Sequence, residues 1–145
     1  MLSVIDARDR EIIAWSAVAG AGISGEMVRE VMIGCVERRF GGTETPHPIE
    51  WLSDNGSAYT ASETADTAAA LGLRLAFTPV RSPRSNGICE AFVKALRRDY
   101  ARLAVLSDAA AVLALLPGWI KAYNGIHPHS GLRFLSPREF RRLGA

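Results

Sequence analysis

The sequence is short of several things, and each shortage closes off a class of answers. It has no apolar run of about 18 residues, so no segment reads as a transmembrane helix. The N-terminus, MLSVIDARDRE, carries charge by position 6 and is no signal peptide. Cysteine is scarce: Cys35 and Cys89 imply no disulfide framework, and a reducing cytoplasm is the default. Net charge is only +2, so bulk charge does not demand a nucleic-acid partner. Repeats, low-complexity tracts and linkers are absent. What remains is a chain of 145 residues, 48% hydrophobic and 22% charged, a length that suits one domain, 1–145, on one core.

Local patterns place the elements. Residues 2–6 (LSVID) and 11–18 (EIIAWSAV) are rich in Ile, Val and Trp, and the charged ARDR between them reads as a tight turn, so a hairpin is expected. Ser24 is a candidate N-cap with Glu26 in the first turn. Val28, Val31, Met32, Cys35 and Val36 recur at helical spacing and predict an amphipathic helix over 25–39. GGTETPHP at 41–48 is loop. IEWLS at 49–53 reads as a short buried strand ending at Asp54, and Asn55–Gly56 is a turn signal. An Ala-rich helix over 61–71, closed by Gly72, leads to a second strand, LRLAF, at 73–77. The polar stretch 78–87 is a long loop. Helices follow over 88–104 and 108–123, with Pro117 a kink site, and a short basic helix starts with Pro137 at its first position. Strands and helices in this order predict an α/β fold, a mixed sheet flanked by helices on both faces.

Two acids stand out. Asp54 sits where an apolar strand stops, a place held by a sheet yet open to solvent. Glu90 falls early in the helix after the long loop. Most Asp–Glu pairs at such a separation are surface residues that never meet, so the spacing itself says little. The neighbours say more: Arg81, Arg84, Lys94, Arg97, Arg98 and Arg102 surround Glu90 with cations, opposed only by Asp99. A charge run is ordinarily a solvated face. On a helix, however, Glu90, Lys94, Arg97 and Ala101 share one stripe, and Phe92, Leu96, Asp99 and Leu103 the opposite one. Two carboxylates brought together repel unless a cation or a proton joins them. Hard oxygen ligands suit Mg²⁺ or Mn²⁺.

Three blocks, WLSDNGSAYTA, VRSPRSNGICEAFVKALRRDY and WIKAYNGIHPHSGLRFLSPREF, occur in order. Together they resemble the catalytic core of insertion-sequence transposases, relatives of retroviral integrases, and most nearly the second-frame protein of two-frame bacterial elements. The resemblance covers roughly residues 2 to 143, and three linked blocks are far more specific than one. It implies a ribonuclease H-like fold, an Asp-Asp-Glu site with two Mg²⁺ or Mn²⁺ ions, and cleavage of transposon-end DNA with strand transfer into target DNA. Asp54 matches the second Asp of that triad and Glu90 its Glu. Asn55, Arg84, Asn86, Gly87, Lys94, Arg97 and Arg98 are the expected DNA-facing positions. The family's first Asp lies on a strand upstream of the hairpin. The resemblance therefore implies that this strand, its Asp and the upstream DNA-binding helices have no counterpart here. Asp6 is a minor substitute; its plainer reading is a turn-capping residue bonding toward Arg8 or Arg10.

Rival signals are weaker. His127 and His129 lack a further ligand at metal spacing, and the resemblance makes them structural or DNA-facing. Cys89, without an organised His, reads as a small apolar residue. Trp15, Trp51 and Trp119 read as packing residues. Ser53 and Ser57 have no placed base. The expectation is thus a metal-dependent polynucleotidyl transferase that acts on DNA in the cytoplasm, at the nucleoid, as a homodimer or higher oligomer without membrane contact. The alternative is a catalytically incomplete fragment that folds and binds DNA, or self-associates through an open sheet edge, with no metal bound.

Overall fold

The computed structural model describes residues 1–20, 22–78, 87–103 and 108–144. The elements run β1 (Leu2–Ile5), β2 (Ile12–Ser16), α1 (Gly25–Phe40), β3 (Ile49–Ser53), α2 (Ser57–Thr60), α3 (Ser62–Leu71), β4 (Leu73–Phe77), α4 (Gly87–Ala95), α5 (Ala109–Gly125) and α6 (Pro137–Arg142). Two compact units result. Met1–Val4, Ile13–Ser16 and Gly20–Gly87 form the first, and Ile5–Ile12, Ala17–Ala19 and Ile88–Ala145 the second. Among the described residues no helix is long and apolar enough to cross a membrane.

In the first unit α1 begins where Ser24 Oγ accepts a hydrogen bond from Met27 N at 3.1 Å. Its buried face is the sequence-predicted set Val28, Val31, Met32, Cys35 and Val36. These pack with Leu2, Ala14, Trp51, Ala68, Leu71 and Leu73 into one core. Val28 and Met32 are fully enclosed, and each such side chain contributes roughly 1.5–3 kcal/mol by leaving water. The strands β3 and β4 pair in parallel, Ile49 opposite Leu73 and Ser53 opposite Phe77. The crossover between them is α2 plus α3, as a parallel pair requires. The expectation of a buried β3 is corrected here: Trp51 alone is buried, and Leu52 is 52% exposed. Alternate side chains of a strand point to opposite faces, and only one face of this one meets the core.

The turn from α3 into β4 depends on Gly72, which sits at φ 85° as the left-handed cap of the helix. A Cβ there would collide with Thr45 Oγ1. That hydroxyl donates to the Gly72 carbonyl at 3.2 Å, while Thr45 N donates to Leu71 O at 2.9 Å, so the neighbour is pinned. Gly72→Ala is therefore expected to destabilise the chain by about 2 kcal/mol or more, the left-handed penalty plus the overlap. Urea unfolding at neutral pH checks this; a variant as stable as its parent would contradict the cap geometry.

In the second unit the connection between β1 and β2 is organised by Asp6. Its Oδ1 accepts from Arg8 N at 2.7 Å and Asp9 N at 3.2 Å. The turn-capping reading is the one the structure displays. A connection this short permits only antiparallel pairing of β1 and β2, and the described strands form two two-stranded sheets, β1–β2 and the parallel β3–β4. The helix α4 continues beyond Ala95 through a wide π turn, Leu96–Tyr100, and a tight turn, Ala101–Leu103. The predicted uniform helix over 88–104 thus changes its winding at Leu96. Asp108 caps α5 by accepting from Ala111 N at 2.9 Å, and α5 runs on past Pro117 to Gly125. Ser136 and Glu139 form a reciprocal capping box on α6, with Pro137 in its first turn. Phe92, fully buried, meets Tyr123 edge to face at 5.0 Å between ring centroids.

Candidate active site and nucleic-acid face

Asp54 follows the last residue of β3, and its backbone is held by the strand. One carboxylate oxygen, Oδ1, accepts from Gly56 N at 2.8 Å, an Asx turn of the kind that Asp–x–Gly favours. The side chain is otherwise open to solvent. Asn55 is exposed, and its Nδ2 donates to Thr78 O at 2.8 Å. With Thr78 N donating to Ser53 O at 2.8 Å, this side chain ties the end of β3 to the end of β4.

Glu90 lies in the first turn of α4 and is exposed, as are Lys94 and Arg97. Gly87 is the first residue of that helix. Phe92, Ala95 and Leu96 are buried, so the face anticipated for Glu90 is the outward one. A carboxylate at a helix N-terminus is favoured by the peptide dipoles there. Arg84 and Asn86 lie outside the described residues. The Cys89 thiol is pushed up by desolvation, although the residue reaches the surface; a raised thiol is a poor nucleophile at neutral pH.

Arg98 is committed locally. Its Nε and Nη2 donate to the two carboxylate oxygens of Asp99, each at 2.8 Å. This fork holds the Asp99 carboxyl below its usual range and the guanidinium above its own. Asp99 also stands 3.7 Å from His127 Nε2, whose Nδ1 is 3.4 Å from the Tyr100 hydroxyl. His127 stacks on Tyr123 at 5.2 Å, and His129 meets both edge to face, at 4.8 Å from Tyr123 and 5.2 Å from His127. Asp99 sits on the inner stripe expected for it with Phe92 and Leu96; sequence reading missed the cluster because its members are far apart in the chain. The signal that was present is the pair His127 and His129 around one proline, and the structure packs both rings against Tyr123.

Burial lowers the His129 imidazole to about 4, helped by the charges of His127 and Arg10. Its folded value lies below the ordinary 6.5, so between those limits the unfolded chain binds a proton that the folded chain refuses. The stability contributed by a neutral His129 is therefore fully present above pH 7 and is lost as pH drops from 6.5 toward 4. The parent is expected to lose more stability than His129→Gln between pH 7.5 and 4.5 in urea melts; equal losses would exclude His129 as the titrating group.

Among the described residues no group of three or more His, Cys, Asp or Glu side chains is gathered to hold a metal ion. Taken singly, Asp54 and Glu90 fit a hard cation: both present carboxylate oxygens at the surface, anchored by a strand end and by a helix turn.

Comparison with known proteins now adds to the geometry. The family described as Integrase core domain matches residues 71–137. A protein of insertion element IS136 from Agrobacterium fabrum is 61% identical over 139 residues, which is 96% of this chain and 71% of that protein. The transposase InsD of insertion element IS2 from Escherichia coli is 46% identical over 141 residues, 97% of this chain and 46% of its own length. This chain thus spans less than half of that transposase. The catalytic core domain of BIV integrase superposes with a TM-score of 0.62 at 17% identity, over 97% of this chain and 83% of that one. At that identity the likeness is one of fold, and it identifies the mixed α/β arrangement as ribonuclease H-like.

Proposed function

This chain belongs to the integrase-core family of insertion-element proteins, and on that premise we propose that it carries part of the DNA-cutting and strand-transfer centre of a transposase. The observation that carries the reading is the placement of its two candidate acids. Asp54 and Glu90 are each held by a regular element and each left open to solvent. Buried structural carboxylates behave otherwise, as Glu11 does in accepting Arg138 and Arg141.

In this reading Asp54 and Glu90 are ligands for Mg²⁺ or Mn²⁺. Such an ion, when bound, activates a water or a 3′-hydroxyl and stabilises the leaving oxygen. Gly56 N fixes one oxygen of Asp54 and leaves the other free to ligate. Glu90 presents its carboxylate from the first turn of α4, where the helix dipole favours an anion. Lys94 and Arg97 hold phosphates of the transposon-end DNA and set register without reading bases. The active form is a homodimer or higher oligomer that brings transposon ends and target together.

A second reading, a chain that folds and binds DNA without cutting it, is favoured by the lack of a gathered ligand group among the described residues. One assay separates the two. End-labelled DNA carrying the element's terminus is incubated with the chain in Mg²⁺ or Mn²⁺. Strand-specific nicking supports the first reading. Its absence with both metals, in a folded chain that still shifts the DNA, selects the second.

A further inference from the structure

The segment after α5 contains a tight turn whose two central residues are the wrong ones for it. Arg133 (φ 57°) and Phe134 (φ 63°) are both left-handed, and neither is glycine. Leu135 N donates to Leu132 O at 3.1 Å across them, which makes this a turn of the mirror-image type. Such turns are ordinarily built from Asn-Gly or Gly-Gly, because the left-handed region crowds the Cβ of other residues.

The turn is forced from both sides. Phe134 N donates to His129 O at 2.8 Å, His129 N to Leu135 O at 3.1 Å, and Leu132 N to His129 O at 3.0 Å. Leu132 is buried on one flank, and Ser136 and Pro137 are fully buried on the other, locked by the capping box of α6. Between these anchors Arg133 is exposed and Phe134 is 73% exposed. An aromatic ring kept in a strained conformation, and contributing nothing to the core, is the kind of feature that function retains. The surroundings are cationic: Arg133, Arg138, Arg141 and Arg142 stand against Glu139 between residues 133 and 142. Glu11 engages only Arg138 and Arg141 among them in the described ion pairs.

We propose that the Arg133–Phe134 turn is a DNA contact in which the Phe134 ring stacks on an unpaired base and Arg133 holds the adjoining phosphate. Stacking fits a single ring on a rigid tip, since every base offers a π face. The cationic flank selects a polyanion over an apolar protein surface. The proposal rests on the DNA-binding part of the function above and not on catalysis.

The test measures binding alone, so a chain that binds DNA without cutting it leaves the proposal intact. Fluorescence anisotropy compares a duplex carrying a short unpaired overhang with the same duplex made blunt. Phe134→Ala is expected to weaken overhang binding on the order of tenfold, and blunt binding much less. A 2-aminopurine in the overhang is quenched by the parent and not by Phe134→Ala. Phe134→Trp restores both affinity and quenching. Phe134→Gly removes the ring and the strain together, so its melting temperature rises while overhang affinity falls. Unchanged affinity in Phe134→Ala overturns the proposal and leaves the catalytic reading standing. A changed mass in solution with unchanged DNA affinity also overturns it, in favour of a self-association surface.

Discussion

Glu90→Gln is expected to reduce metal-dependent nicking by on the order of 10²-fold or more, with folding untouched. The size follows from the nature of the lost group: removing an outer partner of a metal ligand already costs roughly 10–100-fold, and a ligand matters more. Gln keeps the length and helix propensity of Glu. Glu90 is exposed in the first turn of α4, where a surface substitution ordinarily changes stability by about 0.5 kcal/mol or less. What disappears is the negative charge that a hard cation requires. Circular dichroism and thermal melting of the variant should overlay those of the parent, while the nicked product disappears. Lys94→Ala makes the contrast: weaker DNA binding, a salt slope reduced by about one, and no loss of metal dependence. Nicking by Glu90→Gln at the parental rate would remove this residue from the catalytic set.

How much of this was legible beforehand varies with the range of the interaction. The limits of β3 and β4 read directly from two five-residue apolar runs closed by turn signals. The helix α1 read to within one residue because its N-cap, its first-turn acid and its buried face repeat at short spacing. The exposure of Glu90, Lys94 and Arg97 followed from a plain helical wheel. The same wheel put Asp99 on the inner stripe with Phe92 and Leu96, and there it is half-buried; its neighbour His127 was not legible, because it lies far along the chain. The fork from Arg98 to Asp99 was not legible, because helical side chains one apart are not expected to meet. The side-chain bond from Asn55 to Thr78 spans two strands and has no local signature. The positive φ of Arg133 and Phe134 was equally hidden, because nothing in either residue type invites a left-handed backbone.

The longest of these hidden links supports the largest stability effect. Asn124, near the end of α5, is buried, and its amide lies flat against one residue of β2. Ile12 N donates to Asn124 Oδ1 at 2.8 Å, and Asn124 Nδ2 donates to Ile12 O at 2.9 Å. The side chain acts as a one-residue strand, satisfying both backbone groups of Ile12 across 112 positions of sequence. Asn124→Leu keeps the branching at Cγ, though it is larger, and leaves both groups buried without a partner. Each orphan costs roughly 1–3 kcal/mol, so about 4 kcal/mol is expected in total. That corresponds to a melting temperature lower by roughly 10 °C for a domain of this size. Asn124→Asp separates the two bonds. Its carboxylate still accepts from Ile12 N but faces the Ile12 carbonyl, so at neutral pH it is destabilised; once protonated it donates to that carbonyl. The folded pKa of the introduced carboxyl is therefore raised, and the stability that its proton confers is present in acid and lost as pH rises through that value. Measured against the parent, Asn124→Asp should recover stability between pH 7 and 5, while Asn124→Leu shows no such recovery. Equal pH behaviour in the two variants would mean that the amide is not bonded to both groups of Ile12.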